Sequence, residues 1–363
     1  MLYTLRSVAK RWQNIIDGTP TFWTYVQSTL PPHVNEATII RSGNGPLTVV
    51  YPYTTAPKAY DPVSPEQFLL SFAHTFHRWA GSSGPVVPGY LDKPAPHLTK
   101  ISLRNEDSRI EPFELLGGSA TNLRYVDLDE VPIRWKRGIL NQLQVLKLAY
   151  AGGSEGLTTT HILETLLASP CLEYLELDHV SATIEAPPYS QAISLPNLRY
   201  INFSTCEYDF TGAILRHMRA PSCIEFYLDV FLDGEGEEDH QLLNEDLQAF
   251  HELLRAIHNR NGSSEIILDA GNFEWQSSPG GFESDPTLSI VISCDILVHC
   301  IRWVERVLQR DPGLSIHFTP HTSASEDILR RIALMQCVTR LEIEDIPSVA
   351  DLSSVLKLIG KPL

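Results

Sequence analysis

Residues 170–178 read Pro-Cys-Leu-Glu-Tyr-Leu-Glu-Leu-Asp, and residues 196–204 read Pro-Asn-Leu-Arg-Tyr-Ile-Asn-Phe-Ser. Both place a proline two residues before a large apolar side chain and then alternate polar with apolar positions, the period of a strand that buries one face. Outward from these two stretches the same spacing recurs at Leu98-Ile101-Leu103, Leu123-Val126-Leu128, Leu143-Leu146-Leu148, Leu172-Leu175-Leu177, Leu198-Ile201-Phe203 and Cys223-Phe226-Leu228, with first positions 25, 20, 29, 26 and 25 residues apart. Such triplets also arise by chance in an apolar chain. The prolines single these out: Pro96, Pro170, Pro196 and Pro221 each precede a first position by two residues. Proline fixes its own φ and turns the residue before it away from helical angles, which predicts that each ends a helix and opens a strand.

The spacing and the L-x-x-L-x-L pattern resemble leucine-rich repeats. Helical stretches between the strands fit that resemblance: Ile162, Leu163, Leu166 and Leu167 share a face after Thr158–Thr160, and Ile214, Leu215 and Met218 follow Thr211. The fold expected is α/β, an irregular leucine-rich-repeat solenoid with a curved parallel sheet on the concave side and helices on the convex side. Each unit is too small to bury its own apolar face, so stacking predicts one elongated array rather than two globular domains.

Ahead of the repeats, Leu2, Leu5, Val8, Ala9, Trp12, Ile15 and Ile16 form the stripe of an amphipathic helix that stops near Asp17, before Gly18 and Pro20. Residues 2–26 resemble the C-terminal part of an F-box motif as found in fungal F-box-like proteins, through Arg6, Val8, Lys10, Arg11, Trp12, Ile16, Pro20 and Trp23. The motif's first half, a Leu-Pro helix, would lie before Met1. The resemblance implies a short helical F-box remnant that docks a Skp-type adaptor through Leu5, Val8, Trp12, Ile16, Pro20 and Trp23, and a repeat array that presents a protein substrate to a cullin ubiquitin ligase. A helix that only caps a core has the same stripe. The organisation expected is 1–30 partial F-box-like helices, 31–95 a connecting segment with the first irregular repeats, 96–231 the repeats, and 232–363 degenerate repeats with larger helices. In the last part, a helix through Leu243, Leu247, Phe250, Leu254 and Ile257 and another from Asp295 to Leu308 alternate with strands at 265–268, 288–292, 314–318 and 339–343. Stretches 43–65, 81–96 and 271–286, rich in Pro and Gly, read as loops.

Charge narrows the partners. With 28 Lys+Arg against 44 Asp+Glu the 363-residue chain carries a formal net charge of -16, which repels phosphate backbones and anionic membranes. No uncharged apolar run approaches the roughly 18 residues of a bilayer span, and Arg6, Lys10 and Arg11 stand where a secretory signal is apolar, so a cytoplasmic or nuclear protein is expected. The cysteines, Cys171, Cys206, Cys223, Cys294, Cys300 and Cys337, have no metal or disulfide spacing and read as reduced core residues.

Enzymatic signals are weaker. Gly152-Gly-Ser154-Glu-Gly156 satisfies G-x-S-x-G after a strand, yet Leu157 and three threonines separate it from the next helix, where a nucleophile elbow runs straight in. A turn between repeats explains it equally. His74 and His77 share a helix face but lack a third ligand, His251 and His258 miss the H-E-x-x-H spacing, and no nucleotide-binding glycine motif is present. The acidic run 233–239 fits a solvated loop or a dock for a basic partner. The expectation is a non-catalytic protein without cofactors.

In the repeat register the third, fifth and seventh positions point away from the core. They assign substrate binding to Tyr125, Asp127, Asp129, Tyr174, Glu176, Asp178, Tyr200, Tyr227 and Asp229. Tyrosines flanked by carboxylates predict a protein partner with a basic segment.

Overall fold

The computed structural model describes residues 9–52, 64–107, 109–118, 121–152, 156–185, 192–231, 250–261, 264–269, 272–277, 288–293, 297–308, 314–318, 328, 332, 335 and 337–343. The architecture is mixed α/β with extensive parallel sheet. The chain divides into two compact units, Met1–Leu157 with Glu164–Leu172, and Thr158–Leu163 with Glu173–Leu363. The division falls inside the stretch 96–231 that reads as one block of repeats.

The first unit contains α1 (Lys10–Asp17), β1 (Tyr25–Gln27), α2 (Pro32–Arg41), β2 (Leu47–Val50), α3 (Pro65–Phe72), β3 (Trp79–Pro85), α4 (Pro88–Leu91), β4 (Lys100–Arg104), β5 (Tyr125–Asp129) and β6 (Val145–Ala149). Its six strands pair in parallel in sequence order. β2 and β3 lie inside or reach into the stretches 43–65 and 81–96 that read as loops. The glycines of β3 obscured it: Gly84 has φ +151°, and a Cβ there would meet the Tyr51 Cβ at 2.8 Å, so glycine is what lets the chains approach. His74 and His77 sit on a 3-10 turn, Ala73–Arg78, instead of a continued α-helix, and both are exposed.

Crossing from the first unit, α5 (Thr159–Leu167) leads to the elements of the second: β7 (Tyr174–Asp178), β8 (Ile193–Ser194), β9 (Tyr200–Glu207), α6 (Tyr208–His217), β10 (Met218–Arg219), β11 (Glu225–Phe231), α7 (His251–Asn261), β12 (Ser264–Asp269), β13 (Asn272–Ser277), β14 (Leu288–Ser293), α8 (Leu297–Leu308), β15 (Leu314–Phe318) and β16 (Val338–Ile343). The order within this unit is β7-β9-β11-β14-β13-β12-β15-β16. β13 runs antiparallel to both β12 and β14. An antiparallel strand thus stands among the parallel ones in the stretch 232–363, and the reading of 271–286 as loop is corrected over Asn272–Ser277. Phe273 and Trp275 alternate with Glu274 and Gln276 and are fully buried, a period of two that the neighbouring Gly and Pro residues masked. Leu167 is exposed although Ile162, Leu163 and Leu166 of the same helix are buried, and Met218 is buried in β10, beyond the end of α6. Leu243, Leu247, Asp295 and the run 233–239 lie outside the described residues.

A common local structure underlies the repeated sequence. Each marked proline occupies the second position of a turn: Leu98, Leu172, Leu198 and Cys223 donate their N–H to the carbonyls of Ala95, Ser169, Leu195 and Ala220 at 3.1, 3.0, 3.2 and 3.2 Å. Its preset φ suits that position, so it shapes the turn before the strand rather than opening the strand itself. The turn delivers the first apolar residue to the core. The carbonyl one residue later accepts two N–H groups from the next repeat, Thr99 from Arg124 and Tyr125, and Glu173 from Arg199 and Tyr200. Inward positions of β5 and β7 are then buried while their neighbours are half-exposed.

The residue after the strand turns the chain off the sheet. Glu130, Tyr150 and His179 take φ of +57°, +50° and +50° there, a left-handed conformation that costs an L side chain about 1–2 kcal/mol. Glu130 is exposed, and its N–H donates to the Ala149 carbonyl at 2.9 Å. Relieving this strain in Glu130→Gly is expected to raise the urea midpoint of the chain. The β-branched Glu130→Val lowers it, the two variants differing by about 1–2 kcal/mol in urea melts followed by circular dichroism.

Candidate functional site

One surface that collects residues singled out for binding is at the N-terminus. Lys10, Arg11 and Pro20 are exposed, and so are four large apolar side chains, Trp12 (52%), Ile15 (43%), Phe22 (45%) and Tyr25 (48%). Scattered exposed apolar residues need no explanation, but these four fall within the fourteen positions from Trp12 to Tyr25.

Ile16 and Trp23 face inward. Each is only 2% exposed. The Trp23 indole N–H donates to the Ile16 carbonyl at 2.7 Å, and the Arg41 guanidinium lies 4.5 Å from the ring while pairing with Asp17 at 3.4 Å. These two side chains anchor the segment from within, whereas the sequence reading assigns both as adaptor contacts. The sequence reading had given Trp12 and Ile16 the same role because both lie on one stripe, yet the stripe is wide enough that part packs and part stays outside. Leu5 and Val8 lie outside the described residues. Phe22 ends the 3-10 turn Pro20–Phe22 and Tyr25 opens the three-residue strand β1, elements too short to show a period in the sequence.

The outward sheet face of each unit, taken by itself, holds the other residues singled out for binding, and the two faces differ in character. In the first, β4, β5 and β6 present Lys100, Arg104 and Lys147 together with Tyr125, Asp127 and Asp129. Lys100 Nζ stands 4.2 Å from the Tyr125 ring centroid, Arg104 pairs with Asp129 at 3.3 Å, and the Ser102 hydroxyl donates to Asp127 at 2.9 Å. Tyr125, Asp127 and Asp129 are thus engaged by the protein's own cations and hydroxyl. Three basic residues thus stand beside two acidic ones on these strands.

In the second unit the corresponding strands carry tyrosines and carboxylates with no Lys or Arg between Tyr174 and Asp178, Tyr200 and Glu207, or Glu225 and Phe231. Tyr174 and Tyr200 are direct cross-strand partners, and their rings stack at 4.1 Å with 7° between planes. Tyr227 extends the row, 5.5 Å from Tyr200. Offset aromatic pairs of this kind contribute about 0.5–1.5 kcal/mol beyond their burial. The Tyr174 hydroxyl donates to Glu176 at 2.8 Å. Burial, the neighbouring Tyr174 hydroxyl and the charges of Glu176 and Glu225 all push the Tyr200 phenol upward, so it stays neutral at physiological pH. Asp178 contacts His179 at 2.8 Å, and the Thr205 hydroxyl reaches Asp229 at 3.5 Å.

Ser154 lies outside the described residues. Burial raises the Cys206 thiol to about 11 and the Cys223 thiol to about 12, so neither supplies a thiolate at neutral pH. Among the described residues no group of three His, Cys, Asp or Glu side chains is arranged to hold a metal ion, and no helix is long and apolar enough to cross a membrane. A comparison of the sequence with protein-family models finds no match, and a comparison with curated proteins finds none.

Proposed function

We propose that this protein is a non-catalytic recognition subunit of a Skp–cullin–F-box-type ubiquitin ligase, in which residues 10–25 dock the adaptor and the outward face of a leucine-rich-repeat sheet holds a protein substrate. The observation that carries the reading is the exposed group Trp12, Ile15, Phe22 and Tyr25 beside Lys10 and Arg11. Apolar anchors rimmed by cations suit an adaptor surface that is itself apolar and acidic. The recurrence of turn, doubly accepting carbonyl, strand and left-handed corner supports the repeat reading.

Capture of a Skp-type adaptor on immobilised protein tests the proposal. Trp12→Ser with Ile15→Ser is expected to reduce capture at least tenfold, as loss of two interface anchors does, while the melting temperature holds because both side chains are already in solvent. A second reading is a scaffold or sequestering protein that joins no ligase, favoured by the inward packing of Ile16 and Trp23. Absence of adaptor capture by the native chain would decide for it.

A further inference from the structure

Within the second unit, the sheet register defines a row of carboxylates on the outward face. Asp178 pairs across to Ser204 of β9, beside Asp229 of β11; Asp229 pairs with Val291 of β14, and Val291 with Glu274 of β13. Asp178, Asp229 and Glu274 therefore recur on every second strand, and with strands about 4.8 Å apart they stand about 10 Å from one another. Tyr200 and Tyr227 lie along the same strands, and Gln276 donates a hydrogen bond to Glu274.

A chain crossing these strands must present a cation about every 10 Å on a single side to meet the row. A β-strand does not, because residues three apart point to opposite faces. A polyproline II helix does: it has three residues per turn and rises about 3.1 Å per residue, so every third side chain returns to the same side after about 9.3 Å. Half-buried tyrosines are also the surface on which such extended helices dock.

The first unit shows what fits beside a tyrosine and a carboxylate on this kind of face, since Lys100 lies over Tyr125 and Arg104 pairs with Asp129. In the second unit the strands β7, β9, β11, β14 and β13 contain no Lys or Arg, and the row meets the His179 imidazole at Asp178 and the Gln276 amide at Glu274. We infer that the second unit binds a polyproline II-like segment of a partner protein with basic side chains at every third residue, laid across β7, β9, β11, β14 and β13. The inference deepens the reading of the sheet face as the substrate surface, and it is independent of adaptor docking.

Fluorescence anisotropy with the full chain tests it. One labelled peptide repeats Arg-Pro-Ser four times; another has the same composition with its four arginines contiguous. The spaced peptide is expected to bind at least tenfold more tightly. Asp229→Asn with Glu274→Gln removes that preference, Asp178→Asn on its own strand weakens it severalfold, and Glu66→Gln, exposed on α3 of the first unit, leaves it within twofold. These near-isosteric changes are accompanied by far-UV circular dichroism to confirm the native fold. Equal or tighter binding of the contiguous peptide, no binding of either, or an unchanged preference in Asp229→Asn/Glu274→Gln would overturn the inference. Adaptor capture, measured separately through residues 10–25, is unaffected by any of these outcomes.

Discussion

Trp303→Ala lowers the unfolding free energy of the second unit by about 3–5 kcal/mol, the range for deleting a fully buried large aromatic side chain. Trp303 is completely enclosed on α8 and makes edge contacts with Trp275 at 5.7 Å and Phe273 at 6.5 Å between ring centroids. Its indole N–H donates to His251 Nε2 on α7 at 3.0 Å, which requires that nitrogen to be unprotonated. Trp303→Phe keeps most of the bulk and removes the donor, and is expected to cost about 1–3 kcal/mol. Urea melts read by circular dichroism separate the two variants. A loss below about 1 kcal/mol for Trp303→Ala would show that this cluster does not hold the unit together.

The same contact gives stability a pH dependence. Burial first, and the positive charge of Arg306 second, depress the His251 pKa from its ordinary value of 6.5. In the unfolded chain the imidazole takes up a proton near its ordinary pKa, whereas the folded chain resists it, so the unfolded state binds more protons in between. The His251 contribution is complete above the unfolded pKa and is lost as pH falls below it. His251→Gln, which cannot titrate, is expected to flatten the fall in melting temperature between about pH 7 and 5. An equally steep fall in that variant assigns the acid sensitivity to other groups.

The second large effect lies at Trp23. Trp23→Ala is expected to destabilise the N-terminal part of the first unit by about 3–5 kcal/mol, because the ring is buried, its N–H holds the Ile16 carbonyl, and Arg41 stacks over it. The helix α1 loses its anchor, and limited proteolysis is expected to cut near residues 10–17 at protease levels that spare the native chain. Trp12→Ser, on the same helix with its side chain in solvent, leaves that pattern unchanged. The pair distinguishes a tryptophan that holds the segment from one that is available to a partner. Rapid cleavage in both variants would assign Trp12 to packing.

The strands of the repeats were legible because alternation is a local property. Ile101, Val126, Leu146, Leu175, Ile201 and Phe226 are all buried, each at the middle position of its triplet. The four prolines were legible as punctuation, though their turn geometry emerged only from the hydrogen bonds that close around them. Strand β13 carried a readable alternation at Phe273 and Trp275, but Gly and Pro nearby outweighed it. The candidate binding residues were found by parity alone. Parity tells which side of a strand a residue occupies and says nothing of what stands on the adjacent strand.

By itself the sequence determined the α/β class, the positions of the repeated strands, the acidic excess of -16 and the amphipathic N-terminal segment. All of these follow from composition or from periods shorter than a strand or a helical turn. The tertiary structure alone decided four further matters. It divided the chain within the repeat block, placed β13 antiparallel between β12 and β14, and separated Trp12 and Ile15 from the buried Ile16 and Trp23. It also distributed the charge, neutralising Asp129 with Arg104 in one unit while aligning Asp178, Asp229 and Glu274 across strands in the other. Cross-strand register pairs residues as much as 62 positions apart, as Asp229 with Val291, and no local period specifies such a pairing.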